Sequence, residues 1–228
     1  AFLAPVGLSG VGSAGFYWYF YGRPWPNTQD HAGMTASLAG WWRGLAGLLL
    51  DQQWGLLLHA PVYLLAGVGA LALWRARPGL LGWLLLVALP YYAFIGAYNQ
   101  WWGEWGPPAR YLATLAPLAA APIAALWAAD RTRITAMTVG LLSLPGAAVM
   151  LGFLREPQRM YNHPSGQSEL LLGLGGAGRA VSRALPSFVA IDATPEWLRL
   201  GWQIGLALLA LLLAIATAAG EPPEPTPS

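Results

Sequence analysis

The sequence predicts an all-α protein, a polytopic bundle of about five to six transmembrane helices with its functional groups in loops on the outer side. Three observations carry this. Of 228 residues, 56% are hydrophobic and only 10% charged, against roughly 25% charged in an ordinary soluble domain; that is too little charge to coat a water-exposed surface. Several apolar runs approach the roughly 20 residues a spanning helix needs. The polar residues are concentrated between those runs.

Taken in order, Phe2–Phe20 is a Gly-rich apolar run and reads as the remainder of a longer helix. The chain opens on Ala1 inside that run, with no Met and no basic leader, so it is expected to be a piece of a larger membrane protein. The stretch Met34–Leu50 is apolar but interrupted by Arg43 and several Gly, the pattern of an amphipathic helix lying in the interface. Five full-length runs follow: Leu56–Trp74, Leu80–Tyr98, Tyr111–Ala129, Ile134–Leu154 and Leu198–Ala219. Pro61, Pro90, Pro117, Pro122 and Pro145 fall inside them, which a membrane bundle tolerates because neighbouring groups satisfy the freed carbonyls. Gly67, Gly69 and Gly140 suit close helix packing. Residues 1–220 thus form the bundle. Glu221–Ser228 is a Pro-rich acidic tail, expected to be disordered and cytoplasmic.

Orientation follows from the short turns. Arg75 with Arg77, and Arg131 with Arg133, mark two cytoplasmic turns by the positive-inside rule. Parity then places Tyr21–Gly55, Asn99–Arg110 and Arg155–Trp197 outside, in a multi-pass membrane protein. The last loop carries Arg155, Arg159, Arg179 and Arg183, a mild conflict softened by its length. Tyr17, Trp18, Tyr19, Trp41 and Trp42 are placed at the outer interface, as in an aromatic belt.

Composition also excludes function classes. There is no Cys, and His31, His59 and His163 lie far apart, so no metal site is expected. A net charge of +2 gives no argument for a nucleic-acid partner. Gly173, Gly175 and Gly178 match G-x-G-x-x-G, but no strand of a βαβ unit precedes them. No nucleotide or other cofactor is therefore expected, and the outer loop after Arg155 reads as a flexible lid, with Tyr161, Asn162, His163 and Glu169 able to touch a substrate.

The candidate site is the outer segment Trp101-Trp102-Gly103-Glu104-Trp105-Gly106-Pro107-Pro108-Ala109-Arg110-Tyr111. Pro107 and Pro108 suit the start of a helix, where a missing N–H costs nothing. Arg110 would then sit beside the free N–H groups and positive dipole of a helix N-terminus, with a planar fork suited to phosphate. Trp101, Trp102 and Trp105 offer stacking faces for a sugar ring or an isoprenoid chain. Glu104 and Arg110 occur together among very few charges. An interfacial belt with a snorkelling Arg accounts for the same residues without a ligand. A second polar segment, Tyr21–His31, carries Asp30 and His31, which read as substrate contacts or a structural turn rather than as a catalytic pair. Asp51, in Asp51-Gln52-Gln53-Trp54-Gly55, is equally suited to contact substrate or to cap the next helix.

These segments, in this order, resemble a family. Tyr21-Gly22-Arg23-Pro24-Trp25-Pro26-Asn27 is similar to the Y-G-x-P-x-P turn of bacterial GT-C glycosyltransferases. Asp51 to Leu57, followed by Ala60-Pro61, resembles their D-x-x-x-G-L-L-x-x-A-P helix start, and Trp101 to Tyr111 their W-W-G-G-W…P-R-Y loop. The resemblance runs from about Tyr17 to Ala129, with Glu104 where the pattern often has Gly and with Pro107-Pro108 inserted. It implies a membrane enzyme that takes a sugar from a polyprenyl-phosphate donor and passes it to an acceptor at the outer face. It also implies a donor-side role for the loop of Glu104 and Arg110. The family's catalytic carboxylate lies in a first outer loop that no residue here matches, so the catalytic residue is unknown.

Two other classes compete. A transporter or lipid flippase would show charges within spans and repeated broken helices, whereas this chain has nearly charge-free spans and no convincing internal repeat. A non-catalytic membrane scaffold would need neither a donor site nor an upstream acidic loop.

Overall fold

The computed structural model describes residues 3–22, 33–103, 106–129, 131–160 and 163–219. Among them every element of secondary structure is helical. Two units are distinguished, Ala1–Met34 and Thr35–Ser228. The first holds α1 (Leu3–Tyr21), on which Phe16 and Phe20, one turn apart, bring their rings to 4.7 Å.

The second unit holds α2 (Leu38–Leu50), α3 (Leu56–His59), α4 (Leu64–Ala76), α5 (Pro78–Ala97), α6 (Ala116–Ala129), α7 (Arg133–Arg155), α8 (Glu169–Leu172), α9 (Gly175–Ala184) and α10 (Glu196–Ala219). Each apolar run of the sequence is helical, but two begin differently from a straight span. The run from Leu56 breaks at Ala60, whose φ of −143° and ψ of 72° leave the helical region just before Pro61. Proline disfavours the helical conformation in the residue before it and cannot donate an N–H, so the chain turns through Pro61–Tyr63 before α4. The run from Tyr111 opens with a tight turn at Leu112–Leu115, and α6 begins at Ala116.

Three stretches are long and apolar enough to cross a membrane: Pro78–Ala97, Leu112–Ala129 and Arg133–Arg155. Their lipid-like character is visible in what they expose. Trp83, Leu86 and Phe94 of α5 and Leu141, Leu144 and Leu151 of α7 turn outward, an apolar surface far beyond what a soluble monomer leaves open. Polar side chains on α7 are satisfied within the helix: the Thr138 and Ser143 hydroxyls donate to the carbonyls of Ile134 and Val139, at 2.9 and 2.8 Å. That is the pairing a hydrocarbon environment demands. Pro90, Pro122 and Pro145 lie inside α5, α6 and α7, which continue through them.

Helix α2 does more than lie in an interface. Ser37 caps it, accepting from the Gly40 N–H, and α2 packs along α5. A Cβ on Gly44 would fall 2.0 Å from the Gly96 carbonyl oxygen, so the two backbones meet where neither residue has a side chain. Tyr92 donates to the Leu45 carbonyl and Trp41 to that of Ala93, tying the pair further. Helices α4 and α6 make the most extensive packing of the unit. Of the small residues singled out in the sequence, Gly69 meets the Pro122 backbone, while Gly67 and Gly140 face open space.

Helices α5 and α7 run from the arginine turns to a cluster of loops formed by residues 51–55, 98–111 and 156–195. The 20 residues of α5 put about 30 Å between its ends. In this cysteine-free chain, Asn99→Cys and Arg131→Cys are expected to react with an impermeant thiol reagent from opposite faces of the membrane. Labelling of both from one face would refute the arrangement.

Candidate functional site

The loop cluster is organised by three consecutive side chains at the end of α2. Asp51 and Gln53 are 0% exposed and Gln52 is 4% exposed. Each reaches a different part of the segment between α7 and α10. Asp51 Oδ1 accepts from the backbone N–H groups of Gln53 (2.8 Å) and Trp54 (3.2 Å), and Oδ2 from Phe188 N–H (2.6 Å) and the Ser187 hydroxyl (3.4 Å). Gln52 accepts from the Ser182 hydroxyl and donates to the Leu185 carbonyl, while its own N–H donates to Pro186. Gln53 donates to the His163 carbonyl and accepts from Gly166 N–H. Asp51 therefore bends its own chain and grips Phe188. It does not cap α3, whose N-cap residue is Gly55 with no side-chain bond.

The segment expected to be a flexible lid is thus anchored at several points. Ser168, Ser182, Ser187 and Thr194 are all buried in it. Arg159 pairs with Glu156 at 2.6 Å and lies over Gly173, and Arg199 donates to the carbonyls of Ile191 and Thr194. Of the G-x-G-x-x-G match, Gly173 and Gly175 flank the turn between α8 and α9, while Gly178 lies inside α9 against the Leu171 carbonyl.

The tryptophan loop is held to the same cluster. Ala109 N–H donates to the Trp54 carbonyl at 3.0 Å, and Ala109 takes a φ of +54°, a left-handed conformation that costs a residue with a Cβ about 1–2 kcal/mol. The following Arg110 is exposed. Its guanidinium lies 4.9 Å from the Tyr111 ring centroid, and Nη2 donates to the Tyr111 hydroxyl at 3.2 Å. Its stem lies over Gly103 and Gly106, where a Cβ on either residue would come within 2.5 Å of it. Gly103 also has a φ of +82°. Two glycines here let the loop fold round the arginine.

One expectation needs correction. Arg110 stands two residues before the helical stretch Leu112–Ala129, but the N–H groups at that start are already taken. The N–H groups of Arg110, Leu112 and Ala113 donate to Pro107 and Ala109 carbonyls, and α6 begins only at Ala116. Pro107 and Pro108 build a turn, and the Arg110 side chain that follows it is exposed. Trp101 is 2% exposed and packs against Gly47 of α2, so its ring is taken up by the core. Trp102 stands edge-on to it at 5.7 Å and is half-buried. Asp30, His31, Glu104 and Trp105 lie outside the described residues, as do Tyr161, Asn162 and the tail from Glu221. Among the described residues no three His, Asp or Glu side chains come together as a metal site would require.

Sequence reasoning missed Gln52 and Gln53 as the organisers of the site. Comparison with protein-family models, curated proteins and solved structures finds no match to this chain.

Burial pushes the Asp51 carboxyl above its ordinary value of 3.8, and the N–H groups of Phe188, Gln53, Trp54 and Val189 oppose that rise without cancelling it. Asp51→Ala strands buried N–H donors and is expected to cost about 3–5 kcal/mol, several bonds of about 1–3 kcal/mol each. It should show as a lower melting temperature and faster proteolysis between residues 156 and 195. A raised folded pKa means that the folded state holds the proton more tightly. The resulting stability is fully present below 3.8 and lost as pH rises through the folded value. The melting difference between wild type and the non-titrating Asp51→Asn should therefore favour wild type most in acid and shrink as pH rises. A difference that widens with pH would mean that the N–H donors outweigh burial.

Proposed function

We propose that this chain is the bundle portion of an integral membrane glycosyltransferase of the GT-C kind. In this reading it has five to six spans in a bacterial plasma membrane. It passes a sugar from a polyprenyl-phosphate donor to an acceptor at the outer face. The observation that carries the reading is the hydrogen bond from Ala109 N–H to the Trp54 carbonyl. It joins directly the two best described motifs of the resemblance, Asp51–Pro61 and Trp101–Tyr111, which lie far apart in sequence. One exposed cation, Arg110, stands at the join.

In this reading Arg110 takes the donor phosphate. A guanidinium offers a fixed charge and a fork of N–H donors that matches phosphate oxygens. Tyr111 supports it from beneath, and the glycines of the loop leave room for it to be presented outward. Trp102, in the same loop, is only half-buried and keeps ring surface available. Asp30, His31, Glu104 and Trp105 are assigned to the same substrate region on sequence grounds. The acceptor hydroxyl attacks the anomeric carbon, the bond from that carbon to the phosphate oxygen breaks, and its electron pair leaves with the phosphate. No residue of this chain is assigned as the base that removes the acceptor's proton. No nucleotide takes part, since the lipid phosphate is the leaving group.

The test is sugar transfer from a polyprenyl-phosphate donor by the full-length protein. Arg110→Ala is expected to lose about 2–3 kcal/mol of donor or transition-state binding, the scale of a hydrogen bond to a charged group, or about a thirty- to hundredfold drop in kcat/KM. Arg110→Lys keeps the charge without the fork and should retain part of the activity. Melting should be unchanged in both, because the side chain is exposed and, among the described residues, hydrogen-bonds to its neighbour Tyr111. Transfer at the wild-type rate by Arg110→Ala would reduce this residue to an interfacial anchor.

A further inference from the structure

A groove of about 470 Å³ lies beside the Arg110 loop, between the start of the α3–α4 segment and the outer half of α7. Pro107 and Pro108 form part of its wall, with Gly146, Met150 and Phe153 of α7 opposite. It opens on the outward side of α7, where Met150 is 59% and Leu154 68% exposed. What enters from that side in a membrane is a hydrocarbon chain.

Among the described residues of that wall, His59 is the one with a side-chain nitrogen. Its Nδ1 lies 2.8 Å from the Gly55 carbonyl oxygen. A carbonyl oxygen only accepts, so Nδ1 carries the hydrogen and the neutral ring keeps its lone pair on Nε2. Nε2 has no partner among the described residues. It is not sealed away either, since the sealed, unpaired side-chain nitrogens there are Arg43 Nε, Trp54 Nε1 and Trp101 Nε1. A fixed hydrogen-bond acceptor on an otherwise apolar wall costs free energy unless something donates to it.

We infer that the groove is a lipid site in which His59 Nε2 accepts a hydrogen bond from an O–H group on the head of a long-chain isoprenoid. The chain lies along Met150, Phe153 and Leu154, and the head sits at the level of His59, two to three residues from Arg110 through Pro107 and Pro108. The isoprenoid class rests on the functional reading above, but the hydrogen bond to His59 does not need sugar transfer and is tested apart from it.

The probe is a diazirine-bearing prenyl alcohol, photo-crosslinked to the purified protein and mapped by mass spectrometry. Farnesol and farnesyl methyl ether serve as competitors: the alcohol can donate a hydrogen bond and the ether cannot. Label is expected in the peptide covering residues 146–160. Farnesol should compete about three- to tenfold better than the ether, the range one neutral hydrogen bond supplies. His59→Leu should abolish that preference, and His59→Gln, whose amide oxygen can accept, should restore part of it. Val149→Phe, which fills the groove and leaves the His59 acceptor in place, should reduce labelling by both. Equal competition in the wild-type protein would overturn the inference even if His59→Leu fails to fold, as would a preference that survives in His59→Leu or label that maps elsewhere. Loss of sugar transfer in Arg110→Ala and loss of alcohol preference in His59→Leu are separate outcomes, so either reading can fail alone.

Discussion

The arrangement of this protein's polar end depends on burying Asp51, Gln52 and Gln53 with their hydrogen bonds made. Three adjacent residues in extended or turning backbone point in different directions, so one short stretch reaches three separate places on the segment between α7 and α10. That segment has only short helices, and without outside support it would behave as a long, mobile loop. Inside the cluster the local dielectric is low. Each satisfied bond is then stronger than in water, and each unsatisfied one is costlier. The network is therefore cooperative: loss of the Asp51 carboxylate strands the Phe188, Gln53 and Trp54 N–H groups together.

The same stretch fixes the tryptophan loop. Asp51 turns the backbone through its bonds to Gln53 and Trp54, and that turn aims the Trp54 carbonyl at Ala109. The bond received there helps hold Ala109 in a left-handed conformation that alanine alone would avoid. The next residue is Arg110. Its outward placement is thus the end of a chain of causes that begins in a buried carboxylate, and the glycines at 103 and 106 remove the side chains that would block it.

The helical segments were legible because their signal is length and composition, and both survive in any packing arrangement. The break before α4 was only half legible: Pro61 was visible, but whether a proline kinks a helix or ends it depends on whether the preceding residue can extend, as Ala60 does. The buried network was not legible. Its partners are largely backbone groups, those of His163, Gly166, Leu185, Pro186 and Phe188, and a carbonyl or N–H has no residue type to read. Trp101 shows the same ambiguity in another form. A tryptophan at the end of a span fits an aromatic belt, a stacking surface or a core equally well, and here the bare backbone of Gly47 draws it into the core. Arg110 stood out for the opposite reason, since in so uncharged a chain each arginine has to be accounted for.

Placing the dense polar network in the loops follows from the solvent change along the bundle axis. In the spans, a side chain with hydrogen-bonding capacity returns to its own helix, as Thr138 and Ser143 do, because hydrocarbon offers no other partner. Beyond the span ends, water competes for every polar group, and a hydrogen bond contributes net stability chiefly when it is sealed from that competition. Asp51, Gln52 and Gln53 are sealed by Trp54, Phe188 and the small buried residues around Ser187. The result is a rigid polar platform on an apolar bundle. A loop platform of that kind holds an exposed arginine in a defined place, where a free loop would let it wander.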